Sequence, residues 1–173
     1  MGDTVSIVDY DTTWPERFTV EAAAIALELG PIALRIEHVG STSVPGLAAK
    51  PIVDIQISVA SLTPMDTYRR PLECLGYRYY EYLNDEGIDD YPYFAKPADP
   101  PETFHIHVAE AGTFNERRHL AFRDWLRANP EDAAVYAQLK RALAQQEWDD
   151  VNDYADAKTD FVVAIVNRAL DLS

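Results

Sequence analysis

The chain has 173 residues, 47% of them hydrophobic and 25% charged, proportions that suit one globular domain spanning residues 1–173. Its 29 acidic residues outnumber 15 basic ones, giving a formal charge of −14 and a pI ≈ 4.5, so the surface repels a phosphate backbone and argues against nucleic-acid binding. A single cysteine, Cys74, excludes an intrachain disulfide and a thiolate zinc cluster. With no signal peptide and no apolar run near the ~20 residues of a membrane span, the expectation is a cytoplasmic protein off the membrane.

In chain order, Val5 to Tyr10 reads as a short strand or extended arm. Trp14-Pro15 opens a helix, since proline is pre-set for a first turn. Phe18, Ala22, Ile25 and Leu29 keep helical spacing until Gly30-Pro31 stops it. Leu34 to Val39 and Ile52 to Val59 read as strands. Between them lies Gly40-Ser41-Thr42-Ser43-Val44-Pro45-Gly46, a turn whose backbone N–H groups and hydroxyls suit an anion. Thr63-Pro64 predicts the start of a helix reaching Leu75, with Gly76 closing it and Cys74 as a small core residue. Tyr77 to Tyr82 and Tyr91 to Lys96 predict a hairpin around the acidic run Asp85–Asp90. Phe104 to Ala109 is a further strand, and helices follow at Phe114 to Ala128, Pro130 to about Trp148, and Asp153 to Leu170. The fold class is α+β: a mixed β-sheet with helices packed on one face and a helical C-terminal half.

Alternation along the strands divides the sheet into two unlike faces. Val53, Ile55, Ile57 and Val59 oppose Asp54, Gln56 and Ser58, while Phe104, Ile106 and Val108 oppose His105 and His107. If the two strands are neighbours, Asp54, Gln56, His105 and His107 share an accessible polar face, an oxygen and nitrogen set suited to a metal. A plain solvated face is the simpler reading, but two imidazoles beside an aspartate favour a site. Lys158 shares a helical stripe with Tyr154, Phe161 and Ile165, so it either snorkels outward or faces a cleft as a phosphate ligand. Lys50 neutralises either a bound phosphate or Glu37. His38 reads as a core histidine bonded to backbone, with Glu37 and His38 together bracing the turn. Arg118 either faces the cleft as Lys158 does, or covers aromatic surface or pairs with an acid, and Arg123 and Arg127 read as surface ion pairs.

These residues resemble the GrpB family. The likeness runs through Asp9-Tyr10-Asp11, Trp14-Pro15, the block from Glu37-His38 to Asp54, Gly76-Tyr77, His105-Ile106-His107-Val108, Phe122 to Arg127, and Tyr154 with Lys158. It implies a nucleotidyltransferase-like fold related to polymerase-β-like enzymes. The superfamily pattern pairs a Gly-Ser turn with two acids one residue apart. Gly40-Ser41 and Asp54 match it, but Gln56 stands where the second acid is expected. The resemblance therefore implies a protein that binds a nucleoside triphosphate with Mg²⁺ or Mn²⁺, with nucleotidyl transfer as a further expectation. Gly40, Ser41, Thr42, Ser43, Lys50 and Lys158 would hold phosphate. Asp54, Gln56, His105 and His107 would hold the metal, and Asp54 and His107 would be catalytic. A second reading is a non-catalytic accessory or folding module for dephospho-CoA kinase, to which such domains are fused in some bacteria. A third is an Asp/His metal-dependent hydrolase.

Overall fold

The computed structural model describes residues 6–80, 91–97, 101–146, 154 and 157–171. The acidic run 85–90, Trp148 and Asp153 lie outside the described residues. Among the described residues, five strands form one mixed sheet: β1 (Arg35–Val39), β2 (Val53–Val59), β3 (Arg78–Tyr80), β4 (Tyr93–Lys96) and β5 (Phe104–Glu110), in the order β1-β2-β5-β4-β3. Only the β2/β5 pair is parallel, and its register sets Asp54 beside His105 and Gln56 beside His107. The other pairs are antiparallel, with Tyr93 opposite His107 and Ala95 opposite His105. The N-terminal arm makes a single bridge, Val8 to Ala49, closed by backbone bonds of 2.9 and 3.0 Å.

On the apolar face, Val53, Ile55, Ile57 and Val59 join Phe94, Ile106 and Val108 in a dry core. Helix α1 (Trp14–Leu29) covers it with Trp14, Ile25 and Leu29, and α2 (Asp66–Cys74) with Tyr68 and Leu72. Pro15 sits in the first turn of α1 as its fixed φ dictates, and Gly30 ends the helix at φ +52°. Helix α2 starts later than Thr63-Pro64 suggests, because the first bonds run to the Pro64 and Met65 carbonyls. Cys74 is exposed, not core: two residues past Leu72 it is turned well away from the buried stripe.

The C-terminal half is helical: α3 (Phe114–Ala128), α4 (Pro130–Leu143) and, renumbered in order, α5 (Thr159–Ala169). Thr113 caps α3 by accepting from the Glu116 N–H at 3.4 Å, and Glu116 reaches back to the Gly112 N–H at 2.8 Å. Phe122, Leu126, Tyr136, Ile165 and Val166 build a second core that also takes Val44 and Leu47 from the turn segment. The helices therefore clasp the turn against the sheet.

Helices are not confined to the apolar face. α3 also crosses part of the polar one, where Gln56 and Ser58 are 0% and 1% exposed. The accessible polar face expected from alternation is thereby reduced to the end carrying Asp54, His105 and His107. Among the described residues, no helix is long and apolar enough to cross a membrane.

Candidate functional site

Asp54 is the centre of what remains open. Its Oδ1 receives the His107 Nε2 at 3.3 Å and faces the His105 Nδ1 at 3.5 Å. The far nitrogen of His105 meets Glu102, just ahead of β5, at 2.8 Å, so the ring lies between two carboxylates. Burial by itself would raise the Asp54 carboxyl, but the bonds and charge of His105 and His107 overcome it and hold it well below the usual carboxylate range. For His105, burial works against the charged ring, and Asp54 and Glu102 together lift it above its ordinary 6.5. Tyr93 stands over both imidazoles at 5.1 and 5.4 Å, and Tyr91 over His107 at 5.3 Å.

Gly40 makes the approach of the turn to Asp54 possible. It has φ +67°, and a methyl there would overlap the carboxylate, with the Asp54 Cβ and Cγ each 2.9 Å away. Beyond it Ser41–Ser43 form one 3-10 turn. Two of its hydroxyls shape the turn and are not offered outward. Ser43 Oγ donates to the Gly40 carbonyl at 2.6 Å, and Thr42 Oγ1 pairs with His38 Nε2 at 2.9 Å. His38 is a core histidine stacked on Phe18, and it bonds this hydroxyl where a backbone partner was expected. Burial, reinforced by Arg127 and Arg123 against the pull of Asp54, brings it down to about 4. Glu37 is held by Arg123 at 2.7 Å, so Lys50 is not its counter-ion.

Arg123 and Arg127 do more than pair on the surface. Arg123 also donates to the His38 carbonyl at 3.1 Å, and Arg127 grips the Ser43 carbonyl through two N–H groups at 3.0 and 2.8 Å. Arg118 covers the Tyr91 ring, 5.4 Å from its centre.

Three lysines converge on this opening. Lys50 and Lys158 both lie against the Tyr154 ring, 4.7 and 4.2 Å from its centre. Lys140 of α4 donates to Ser41 Oγ at 2.8 Å and to the Ala48 carbonyl. Burial and the neighbouring Lys50 bring Lys158 down to about 8, and burial with Lys158 nearby brings Lys140 down to about 7. Burial also lowers Lys50, with Asp54 and Glu102 opposing. Lys140 escaped the sequence reading, although it follows Tyr136 by four residues on an inward stripe, the same signal that singled out Lys158.

His119 was also missed. It leaves α3 to meet Gln56 Oε1 at 2.8 Å, and the Gln56 amide donates to the Glu116 carbonyl at 3.3 Å. Gln56 thus ties α3 to the sheet and stands outside the proposed metal set. A protein-built metal centre does not fit this arrangement. Asp54 Oδ1 already serves two imidazoles, Gln56 is spent, and no group of three or more His, Cys, Asp or Glu among the described residues is arranged to hold an ion.

The family model described as GrpB protein matches residues 4–168. This chain belongs to the GrpB family. A crystal structure of GrpB from Enterococcus faecalis superposes at a TM-score of 0.82 with 36% identity, covering 96% of this chain and 98% of that one. A UPF0157 protein of Halalkalibacterium halodurans is 44% identical over 95% of this GrpB chain and 82% of its own length. A dephospho-CoA kinase of Mycobacterium leprae is 32% identical over 94% of this chain but only 46% of its own length.

Proposed function

We propose that this GrpB protein binds a nucleoside triphosphate or a close phosphorylated relative at the opening between Gly40-Ser41 and Asp54. The observation that carries this reading is the convergence of Lys50, Lys140 and Lys158 in a chain of net charge −14. Burial lowers all three, and repulsion from a neighbouring lysine adds to it for Lys140 and Lys158, so the site holds its cations at a cost that a bound polyanion removes. Lys50, Lys158 and the half-exposed Ser41 face the phosphates, and Gly40 lets the backbone close on them. Thr42 and Ser43 serve by shaping the turn. Mg²⁺ or Mn²⁺ enters with the phosphates, since ions of this kind are commonly held by one or two carboxylates together with the substrate. With Gln56 committed to α3, binding is better supported than nucleotidyl transfer, and the same spent donors leave an Asp/His hydrolase without support.

Calorimetric titration with ATP, GTP, CTP and UTP, with and without Mg²⁺ or Mn²⁺, tests this. Saturable heat is expected for at least one triphosphate, accompanied by proton uptake that shows as a dependence on buffer ionisation heat. Absence of heat and of competition with every triphosphate overturns it.

A second reading draws on the Mycobacterium leprae relative, of which this chain matches about half. On that reading the domain supports the folding or stability of dephospho-CoA kinase. Co-refolding the kinase with and without this protein tests it. An unchanged kinase yield, and no association by gel filtration, would remove it.

A further inference from the structure

Lys140 is only 2% exposed, and its ammonium lies 4.6 Å from the centre of the Tyr136 ring. Its two bonds join the first hydroxyl of the turn, on Ser41, to the Ala48 carbonyl at the far end of the same segment. Arg127 holds the middle, at Ser43, and Arg123 the entry, at His38. The segment is therefore shaped by cations reaching in from α3 and α4. Arg123 has a carboxylate partner in Glu37. Among the described residues no carboxylate forms an ion pair with Lys140, the most buried of the three. A desolvated ammonium costs several kcal/mol, which its two charge-assisted bonds offset only in part, so its charge calls for a reason.

We propose that Lys140 is a positioning residue whose charge holds the Ser41–Ala48 segment in the shape that receives an anion, so that the turn responds to protonation and tightens when phosphate binds. The second half of this inference rests on the phosphate-binding reading above; the first half does not. The groups facing the ammonium are Tyr136 and Arg141 of α4, Lys158 ahead of α5, Asp54 of β2, and Ser41 and Ala48 of the turn itself. Burial, Lys158 and Arg141 push Lys140 down and Asp54 pulls it up, leaving it at about 7.

The test begins without ligand. Amide ¹H–¹⁵N spectra are recorded from about pH 6 to about pH 9 for the wild type, Lys140→Met and Lys140→Arg. In the wild type the Thr42, Ser43 and Ala48 amides are expected to move together, with a midpoint near 7. In either variant that movement is expected to vanish, because one lacks the charge and the other never loses it. Ile57 and Leu126 report whether each variant stays folded, and the arginine variant decides the question if methionine does not fold. Inorganic tripolyphosphate is then titrated by calorimetry near neutral pH. Lys140→Met is expected to bind at least about tenfold more weakly, the scale of a lost charge-assisted bond. Turn amides that titrate alike in wild type and variants overturn the proposal, as does unchanged tripolyphosphate affinity in Lys140→Met. If no protein binds tripolyphosphate or ATP, the phosphate-binding reading fails and the tightening on binding fails with it. The ligand-free titration still decides whether Lys140 shapes the turn.

Discussion

Replacing Lys158 by methionine separates the cost of a buried charge from the value of a contact. Lys158 lies near 8 where an ordinary lysine lies at 10.5, which converts to about 3 kcal/mol against the charged folded state. The side chain is only half-buried, so solvent screening reduces this to about 2 kcal/mol. Its contact with the Tyr154 ring at 4.2 Å returns about 0.5–1 kcal/mol. Methionine keeps most of the aliphatic stem and its packing. The Lys158→Met protein is therefore expected to be more stable by about 1 kcal/mol in urea at pH near 7, while ATP affinity falls by about tenfold. The sign with pH follows from linkage. Below about 8 both states carry the proton and the wild type bears the full cost. Between about 8 and 10.5 the folded state releases it first, the unfolded state binds more protons, and wild-type stability rises with pH. The gap between the proteins should close across that window. A variant less stable than wild type at neutral pH, or a gap that ignores pH up to 10.5, refutes the reasoning.

Three further outcomes follow from the same geometry. Gly40→Ala meets both a φ of +67° and the Asp54 side chain at 2.9 Å, and should lose about 2 kcal/mol or more in urea unfolding. Asp54→Asn removes the anion that helps raise His105. Its imidazole, followed by NMR, should titrate lower in the variant than in wild type, and stability carried by the protonated ring should disappear earlier as pH rises. Gln56→Glu places a carboxylate at a position 0% exposed, where it faces the Glu116 carbonyl without a proton to give. A loss of about 2–4 kcal/mol near pH 8, partly recovered in acid, is expected from urea unfolding.

Period-two alternation revealed the apolar face of β2 and β5, because Val53, Ile55 and Ile57 bury against greasy helices. Pro15 and Gly30 marked the ends of α1 that they occupy. The placement of α3 was harder to see, since the groups it turns toward Gln56 are the Glu116 carbonyl and the His119 ring. A polar interface between two elements leaves each with a surface that looks solvated, so hydrophobic periodicity is silent about it. Lys140 was hidden for a related reason. A lysine among Ala133, Tyr136 and Ala137 interrupts an apolar stripe, and nothing in the stripe says that the interruption points at a serine 99 residues away. Likewise the three hydroxyls of the turn look alike in sequence, and only their partners tell them apart: Ser41 meets Lys140, Thr42 meets His38 and Ser43 meets the Gly40 carbonyl.

The net charge of −14 and the lysine cluster act at different ranges. At physiological ionic strength fields decay over about 8 Å, so acids scattered over the surface weigh little against cations touching the ligand. On the phosphate-binding reading a polyanion is not gathered from a distance, and its binding depends on Lys50 and Lys158 directly and on Lys140 through the turn. These cations share the opening with one carboxylate whose Oδ1 is already bonded and a glutamine sealed beneath α3. On that reading the lysines grip the phosphates, while Gln56 is occupied in holding α3 against the sheet. Asp54, held ionised by His105 and His107, is a weakened base for deprotonating an acceptor, and its Oδ1 already faces both imidazoles.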